Sequence, residues 1–295
     1  MYTTYNAEYG TLYIVSTPIG NFRDLSPRAI EILSTVDMIA AEDTRRTIIL
    51  LNKIGIRNQL VSNHNYNEYN RVRYFIDQLK EGKNIAVVTD AGTPCISDPG
   101  NALIKTAIQE DIRILGIPGC CAAINSLVVS GFDLSSFLFY GFFPRENGER
   151  MKLLKKMRRE TITKTYVFYE SPKRILSTVE FFADNEVNCL MSLSNDMTKP
   201  YERTYRGTPE QVRDMLLDNE HYDKGEYVLN VEVQKEYLIT ETEHTTSPEA
   251  LLTEMIVRND CSVKEAIKLA LAEETNTYSK NELYAASIRL KELFE

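Results

Sequence analysis

Between residues 11 and 130, short apolar runs alternate with amphipathic stretches, and several of the runs stop at turns rich in Gly and Pro. This alternation is the strongest constraint on the fold. A strand followed by a helix followed by a strand leaves little choice but parallel pairing across a crossover, so the sheet must be mostly parallel and covered by helices. Strands are expected at 12–17, 38–41, 60–62, 85–89 and 112–117, with helices at 44–53, 67–81, 99–110 and 120–130. A further helix opens at Ser26-Pro27, where Ser26 reads as the N-cap and Pro27 as the first helical residue.

A second α/β set follows, with strands at 137–142, 165–169, 187–193, 203–207 and 227–233 and helices at 149–160, 172–183 and 209–219. The turn-rich segment 131–136 is the candidate link between the sets. Beyond residue 236 a polar run at 240–246 precedes three short helices at 248–258, 262–272 and 279–294, the last opening on the capping-box pair Ser279 and Glu282. A chain of 295 residues exceeds what one hydrophobic core usually serves. The expected fold class is therefore α/β: two α/β domains, 1–130 and 131–236, with an active cleft between them, plus a small helical tail, 237–295.

Five scattered cysteines and three histidines, without CxxC or HExxH, give little from which to build a metal site, and reduced thiols are expected. No metal cofactor is predicted. Residues 1–10 carry no basic and apolar leader, so a cytoplasmic location is expected. The most apolar stretch, 127–143, is interrupted by Gly131, Asp133, Ser135 and Ser136 and reads as helix end, loop and strand rather than a membrane span.

Net charge is −8, which argues against indiscriminate binding to polyanions. Its distribution says more. From Arg145 to Arg174 ten basic residues face four acidic ones, a local charge of +6. Either this is the solvated face of a helix or it is a nucleic-acid footprint built on Lys155, Lys156, Arg158, Arg159, Lys173 and Arg174. The tail, with eleven acids and six bases over 241–295, reads instead as a packing or docking element.

No GxGxxG follows the first strand and no GxxxxGK[ST] occurs, so neither a standard dinucleotide site nor a P-loop is supported. Three other turns fall where strands reach the carboxyl edge of the sheet: Ser16-Thr17-Pro18-Ile19-Gly20, Thr89-Asp90-Ala91-Gly92-Thr93-Pro94 and Gly116-Ile117-Pro118-Gly119-Cys120-Cys121-Ala122. Open α/β sheets bind ligands at that edge, and small residues let backbone amides approach closely. Together the three turns predict one shared pocket. Ser97-Asp98-Pro99-Gly100 leads into the next helix, whose N-terminal end can hold a carboxylate or phosphate, or Asp98 simply caps it. Ala41-Glu42-Asp43-Thr44-Arg45-Arg46 is either a cap with an exposed ion pair or a reactive cluster, with an arginine at a phosphate and a carboxylate near a reacting hydroxyl. His64, after a strand end, can serve as a base or cap a helix. Tyr169-Glu170-Ser171-Pro172-Lys173-Arg174 ends a strand and adds cations to the basic segment.

Taken in order, STPIGN, AEDTRRT, TDAGTPCISDPG, GIPGCCAA and FYESPKR closely resemble the ribosomal RNA small subunit methyltransferase I family, ribose 2′-O-methyltransferases of the tetrapyrrole methylase (class III) superfamily. The resemblance spans residues 11 to about 235. It implies S-adenosyl-L-methionine held in the cleft between the two α/β domains, a homodimer, and a cytidine ribose in the decoding region of 16S rRNA as the acceptor, within the small ribosomal subunit. By the same pattern Pro18, Asp90, Ala91, Gly92, Thr93, Ser97, Ala122 and Tyr169 border the cofactor. Cys120-Cys121 departs from the Pro-Ser often found in relatives. Methyl transfer to a hydroxyl needs alignment and a nearby proton acceptor. Asp43 and His64 stand first for that role, with Glu42 and Glu170 as alternatives; Arg45 is a further candidate catalytic residue, and phosphate contacts would come from it and the basic segment. Two other readings remain at this stage: a precorrin-type tetrapyrrole methyltransferase and a non-catalytic ribosome-binding protein.

Overall fold

The computed structural model describes residues 5–63, 68–159, 164–234, 247–272, 276 and 278–294, with only the backbone at 68–70 and 292–294. Packing divides the chain into two compact units, Met1–Tyr237 and Leu238–Glu295.

The first unit opens with β1 (Thr11–Val15), α1 (Pro27–Thr35), β2 (Met38–Ala41), α2 (Thr44–Lys53), β3 (Leu60–Ser62), α3 (Glu68–Lys80), β4 (Ile85–Val88), α4 (Asn101–Gln109), β5 (Arg113–Ile117) and α5 (Ala122–Val128). The strands lie in the order β3-β2-β4-β1-β5, with every pairing parallel. Successive strand side chains point to opposite faces. Leu12, Ala40, Ile85 and Val87 accordingly pack with Phe75 and Leu79 of α3 and Leu103 of α4, while Val15, Ile39, Ala41 and Val88 pack with Leu33 of α1 and Leu51 of α2. Local capping fixes where these helices begin. Ser26 Oγ accepts from Ala29 N at 3.1 Å, and Asp43 Oδ1 accepts from Arg45 N at 2.9 Å.

One start differs from expectation. The fourth helix begins at Asn101 with Gly100 as its N-cap and no capping side chain, so Asp98 does not cap it.

The second sheet comprises β6 (Phe137–Phe142), β7 (Lys164–Glu170), β8 (Cys189–Asn195), β9 (Arg203–Gly207) and β10 (Tyr227–Val233), in the order β6-β7-β10-β8-β9. Only β6 and β7 run parallel; the other three pairings are antiparallel. Its helices are α6 (Asn147–Arg158), α7 (Ile175–Asp184) and α8 (Pro209–Leu217). Phe143 and Phe168 pack with Phe181 and Phe182 of α7 as one aromatic cluster. The sheet's other face is covered by α5: Ala123 and Leu127 pack with Val167 and Val228. Cover for the second sheet thus starts before the 131–136 link.

The unit 238–295 holds α9 (Pro248–Asn259), α10 (Val263–Ala272) and α11 (Lys280–Phe294), with Leu252, Met255, Ala266, Ala270, Leu283 and Ala286 as its core. Among the described residues, no helix is long and apolar enough to cross a membrane.

At the end of β7 the Glu170 side chain is fully buried. Its Oε1 pairs with Arg174 Nη2 at 2.5 Å and accepts from Ser171 N at 2.7 Å, and its Oε2 accepts from Thr178 Oγ1 at 2.9 Å. Arg174 is therefore turned inward to hold a carboxylate. Removing one partner of a buried pair strands the other charge. Arg174→Met should cost about 3–5 kcal/mol of stability, seen as a lower urea midpoint. Arg174→Met with Glu170→Gln should recover part of that loss.

Candidate active site

The strand order places β4 beside β1 although they are far apart in the chain, and such a switch point opens a crevice at the carboxyl edge. The turns leaving β1, β4 and β5 meet there and are stitched together. Thr17 and Gly92 exchange backbone hydrogen bonds at 2.8 and 3.0 Å, Ser16 Oγ lies 3.0 Å from Thr93 Oγ1, and Thr93 Oγ1 donates to the Cys120 carbonyl at 2.9 Å. Cys120 thus serves the site through its backbone. At Gly119 an added Cβ would come within 2.8 Å of Ser16 Cβ, so only Gly lets the third turn close on the first. Gly92, at φ +85°, takes a conformation that L side chains rarely adopt. Cys95 and Ser97, at φ 72° and 68°, hold the following loop in the left-handed region without being glycine. Such strain gathers at functional sites.

Above these turns lies a cleft of about 370 Å³, a size suited to a small ligand. One wall comes from the β1 and β4 turns and the start of α5: Ile19, Ala91, Gly92, Thr93, Ser97, Asp98 and Ala122. The other comes from the second sheet, with Phe142, Tyr169, Pro172 and Tyr227 among its residues. A second lobe of about 300 Å³ adjoins it, sharing Ile19, Ala91 and Glu226 and bordered by Pro18, Phe22, Arg46, Asp90 and Lys199.

All eight sequence-predicted cofactor residues border this double cleft: Ala91, Gly92, Thr93, Ser97, Ala122 and Tyr169 line the first lobe, and Pro18, Asp90 and Ala91 the second. The donor set suits a cofactor with an aromatic base, a sulfonium and an amino-acid tail. Aromatic and small apolar walls can take the base, and the carboxylates of Asp98 and Glu226 suit positive charge.

Carboxylates converge at the β4 turn. Thr89 Oγ1 donates to Glu42 Oε2 at 2.5 Å, and Asp90 Oδ1 accepts from Asp43 N at 3.2 Å while its Oδ2 pairs with Arg46 at 3.3 Å. Asp43 is committed differently: its two oxygens accept from Arg45 Nε at 3.0 Å and Nη2 at 2.7 Å, and these bonds, with the one from Arg45 N, hold its carboxyl down to about 2. Burial first, and the Glu42 charge second, push Asp98 the other way, up to about 6. Asp90 is raised by the same two causes, burial first. Burial also lifts the Tyr169 phenol to about 12, so it stays protonated.

The remaining expectations separate from the cleft. His64 lies outside the described residues. Glu170 borders the first lobe, but both its oxygens are engaged by Arg174, Ser171 and Thr178. Lys155 and Lys156 are exposed on α6, with Lys156 Nζ 5.5 Å from the centroid of the Tyr140 ring; Arg158 donates to the Asn185 carbonyl at 2.9 Å; Arg159 and Lys173 are exposed. None of the α6 cations lines the cleft. Asp98 and Phe22 were missed as site residues. For Asp98 the signal was present, an acid inside a Pro- and Gly-bounded turn, but it resembled an ordinary cap.

The sequence profile of the Tetrapyrrole (Corrin/Porphyrin) Methylases matches residues 11–213. Over 276 residues the chain is 38% identical to the ribosomal RNA small subunit methyltransferase I of Haemophilus influenzae, covering 93% of this chain and 95% of that protein. To the protein of the same name from Halalkalibacterium halodurans it is 44% identical over 223 residues, 76% of each chain. Among solved structures, a cobalt precorrin-4 methyltransferase matches 75% of this chain and 94% of its own with a TM-score of 0.54 at 16% identity, which speaks to fold alone.

Because Asp98 binds its proton more tightly folded than unfolded, its ionisation opposes folding. The penalty grows as pH rises from about 4 to about 6 and is absent below the unfolded pKa. Asp98→Asn should therefore raise the melting temperature at pH 8 and leave it unchanged near pH 4, as thermal denaturation at the two pH values will show.

Proposed function

Because the chain belongs to the tetrapyrrole methylase family and, within it, to the ribosomal RNA small subunit methyltransferase I group, we propose that it methylates the 2′-hydroxyl of a cytidine ribose in the decoding region of 16S rRNA. It is an S-adenosylmethionine-dependent methyltransferase. The observation that carries this reading is the stitched three-turn floor beneath a cleft whose walls suit that cofactor, in a chain at least 38% identical to two proteins named for rRNA methylation. The precorrin methyltransferase is similar in fold only. A ribosome-binding protein without catalysis would have no use for such a floor.

Bound in the first lobe, S-adenosylmethionine supplies an electrophilic methyl on a sulfonium. The protein's part is alignment, exclusion of water and removal of one proton. Alignment of two reactants in a fixed geometry can itself supply about 7–11 kcal/mol of the barrier. Gly92, Ala91 and Ala122 make room on the floor, while Tyr169 and Phe142 wall the lobe from the second sheet. The neutral ribose hydroxyl is a poor nucleophile, so a base should take its proton as the new bond forms. Asp43, held near 2 by Arg45, is a weak base. Asp98, on the cleft wall and titrating near 6, matches the task better, and we assign it that role.

The same reading has the enzyme work on the small ribosomal subunit in the cytoplasm, as a homodimer. Exposed Ile124, Val128 and Val129 on and beside α5 offer apolar surface to a second copy. Lys155 and Lys156 on α6 would engage rRNA phosphates away from the cleft.

The test is transfer of labelled methyl from S-adenosylmethionine to small subunits lacking the modification, with the modified ribose mapped by its resistance to alkaline cleavage. Incorporation at one decoding-region cytidine is expected. Cofactor binding without incorporation would point to a different acceptor. In the same assay kcat should rise through about pH 6, and Asp98→Asn should lower it about 100-fold or more and abolish that acid limb. An unaltered pH profile would remove Asp98 from the reaction.

A further inference from the structure

The two lobes of the cleft differ in chemistry. The first has no Lys or Arg among its lining residues and presents Asp98 and Glu226. The second brings in Arg46 and Lys199, each paired with a carboxylate of the same lobe, Asp90 and Glu226, and an aromatic ring, Phe22, 38% exposed. A sulfonium belongs with carboxylates, and a phosphodiester belongs with guanidinium and ammonium groups. They meet at Ile19, Ala91 and Glu226, so a reactant in one lies against a reactant in the other.

Phe22 sits in a single 3₁₀ turn, Phe22–Asp24, held by Asn21, whose Oδ1 accepts from Arg23 N at 3.1 Å. Lys53 Nζ, from the far end of α2, stands 3.8 Å from the centroid of its ring. The start of the same helix supplies Arg45 and Arg46, 88% and 68% exposed. Arg46 pairs with Asp90 through Nη1 at 3.3 Å and keeps most of its side chain exposed. Between these cations Ile48 and Ile49 are exposed, 49% and 56%, although Ile49 borders the lobe. An aromatic ring in a concavity, flanked by cations spaced along one helix, is how proteins hold an unstacked RNA base with its neighbouring phosphates. Lys199 is less available, since it bridges Asp196 at 2.7 Å and Glu226 at 2.8 Å and so closes the lobe's far wall.

We propose that the second lobe receives the acceptor nucleotide, its base stacked on the face of Phe22 opposite Lys53 and a flanking phosphate at Arg46, so that its ribose lies at the seam with the cofactor lobe, where Ile19, Ala91 and Glu226 line both. This rests on the rRNA methyltransferase reading. The ligand class is a single, unstacked ribonucleotide within a longer RNA.

Steady-state methyl transfer to unmodified small subunits, paired with calorimetric titration of S-adenosylmethionine, separates the lobes. Phe22→Ala should raise the KM for subunits about tenfold or more, in keeping with the loss of one base stack, and leave the cofactor Kd within about twofold. Phe22→Trp should restore KM, whereas Phe22→Leu should not. Arg46→Gln should raise KM and flatten its dependence on salt. An unchanged KM in Phe22→Ala, rescue by Leu as complete as by Trp, or a cofactor Kd that moves in step with KM would each overturn the assignment. Should the wild type methylate no subunit at all, the rRNA reading itself fails. The lobe is then judged by filter binding of unmodified 16S rRNA at low salt, which Phe22→Ala must weaken for the inference to survive.

Discussion

The site depends on the hydrogen bonds that join three turns into one floor. Each turn alone is an ordinary strand exit. Tied by the Thr17–Gly92 bridge and by the Thr93 hydroxyl between Ser16 and the Cys120 carbonyl, they become a rigid surface on which small residues line up. Each bond contributes only about 1 kcal/mol net, but leaving any of these polar groups buried without a partner would cost more. The floor is therefore more a requirement of closing the sheet edge than an addition to it. Gly119 shows how tightly the turns approach, for a single methyl there would collide with Ser16.

The carboxylates show how one environment assigns different work to chemically similar groups. Asp43 faces solvent and Arg45 and keeps its charge down to about pH 2; Asp98 faces the cleft and Glu42 and gives it up near pH 6. Two acids whose surroundings drive their proton affinities apart are a familiar source of acid–base division in enzymes. Here the separation comes mainly from Arg45 on one side and burial on the other.

Much of the first half was legible because buried parallel strands are short apolar runs and their helices carry explicit caps. The strand at 38–41 and the helix at 44–53 appear with the bounds that pattern gives them. The second sheet was less legible. Alternation gave its strands, but nothing local in 165–169 or 227–233 says that the two pair antiparallel, because that pairing is set by distant segments meeting. Likewise, the apolar stripe of α5 does not name the sheet it will cover. Within the site the turns could be read because Gly and Pro are visible punctuation. Asp98 could not, because a capping acid and a half-buried cleft acid have the same letter, and Gly100 took the cap. Phe22 had no signal, since its setting depends on Lys53 arriving from the far end of another helix.

An acidic protein that acts on RNA must gain affinity from local contacts rather than from its overall field. Around the cleft even those contacts are moderated: Arg45 is paired with Asp43, Arg46 with Asp90, and Lys199 with Asp196 and Glu226. An arriving phosphate competes with a carboxylate already in place, so each contact yields less than an unpaired cation would. Exposed pairs of this kind are worth little and exchange readily. Weak contacts of this sort discriminate through number and geometry. On the proposed reading, a folded ribosomal subunit would present phosphates to α2 and α6 together while one nucleotide enters the lobe, whereas a flexible strand would lose entropy to do the same. Pairing that weakens binding to arbitrary RNA would thus favour a preorganised acceptor.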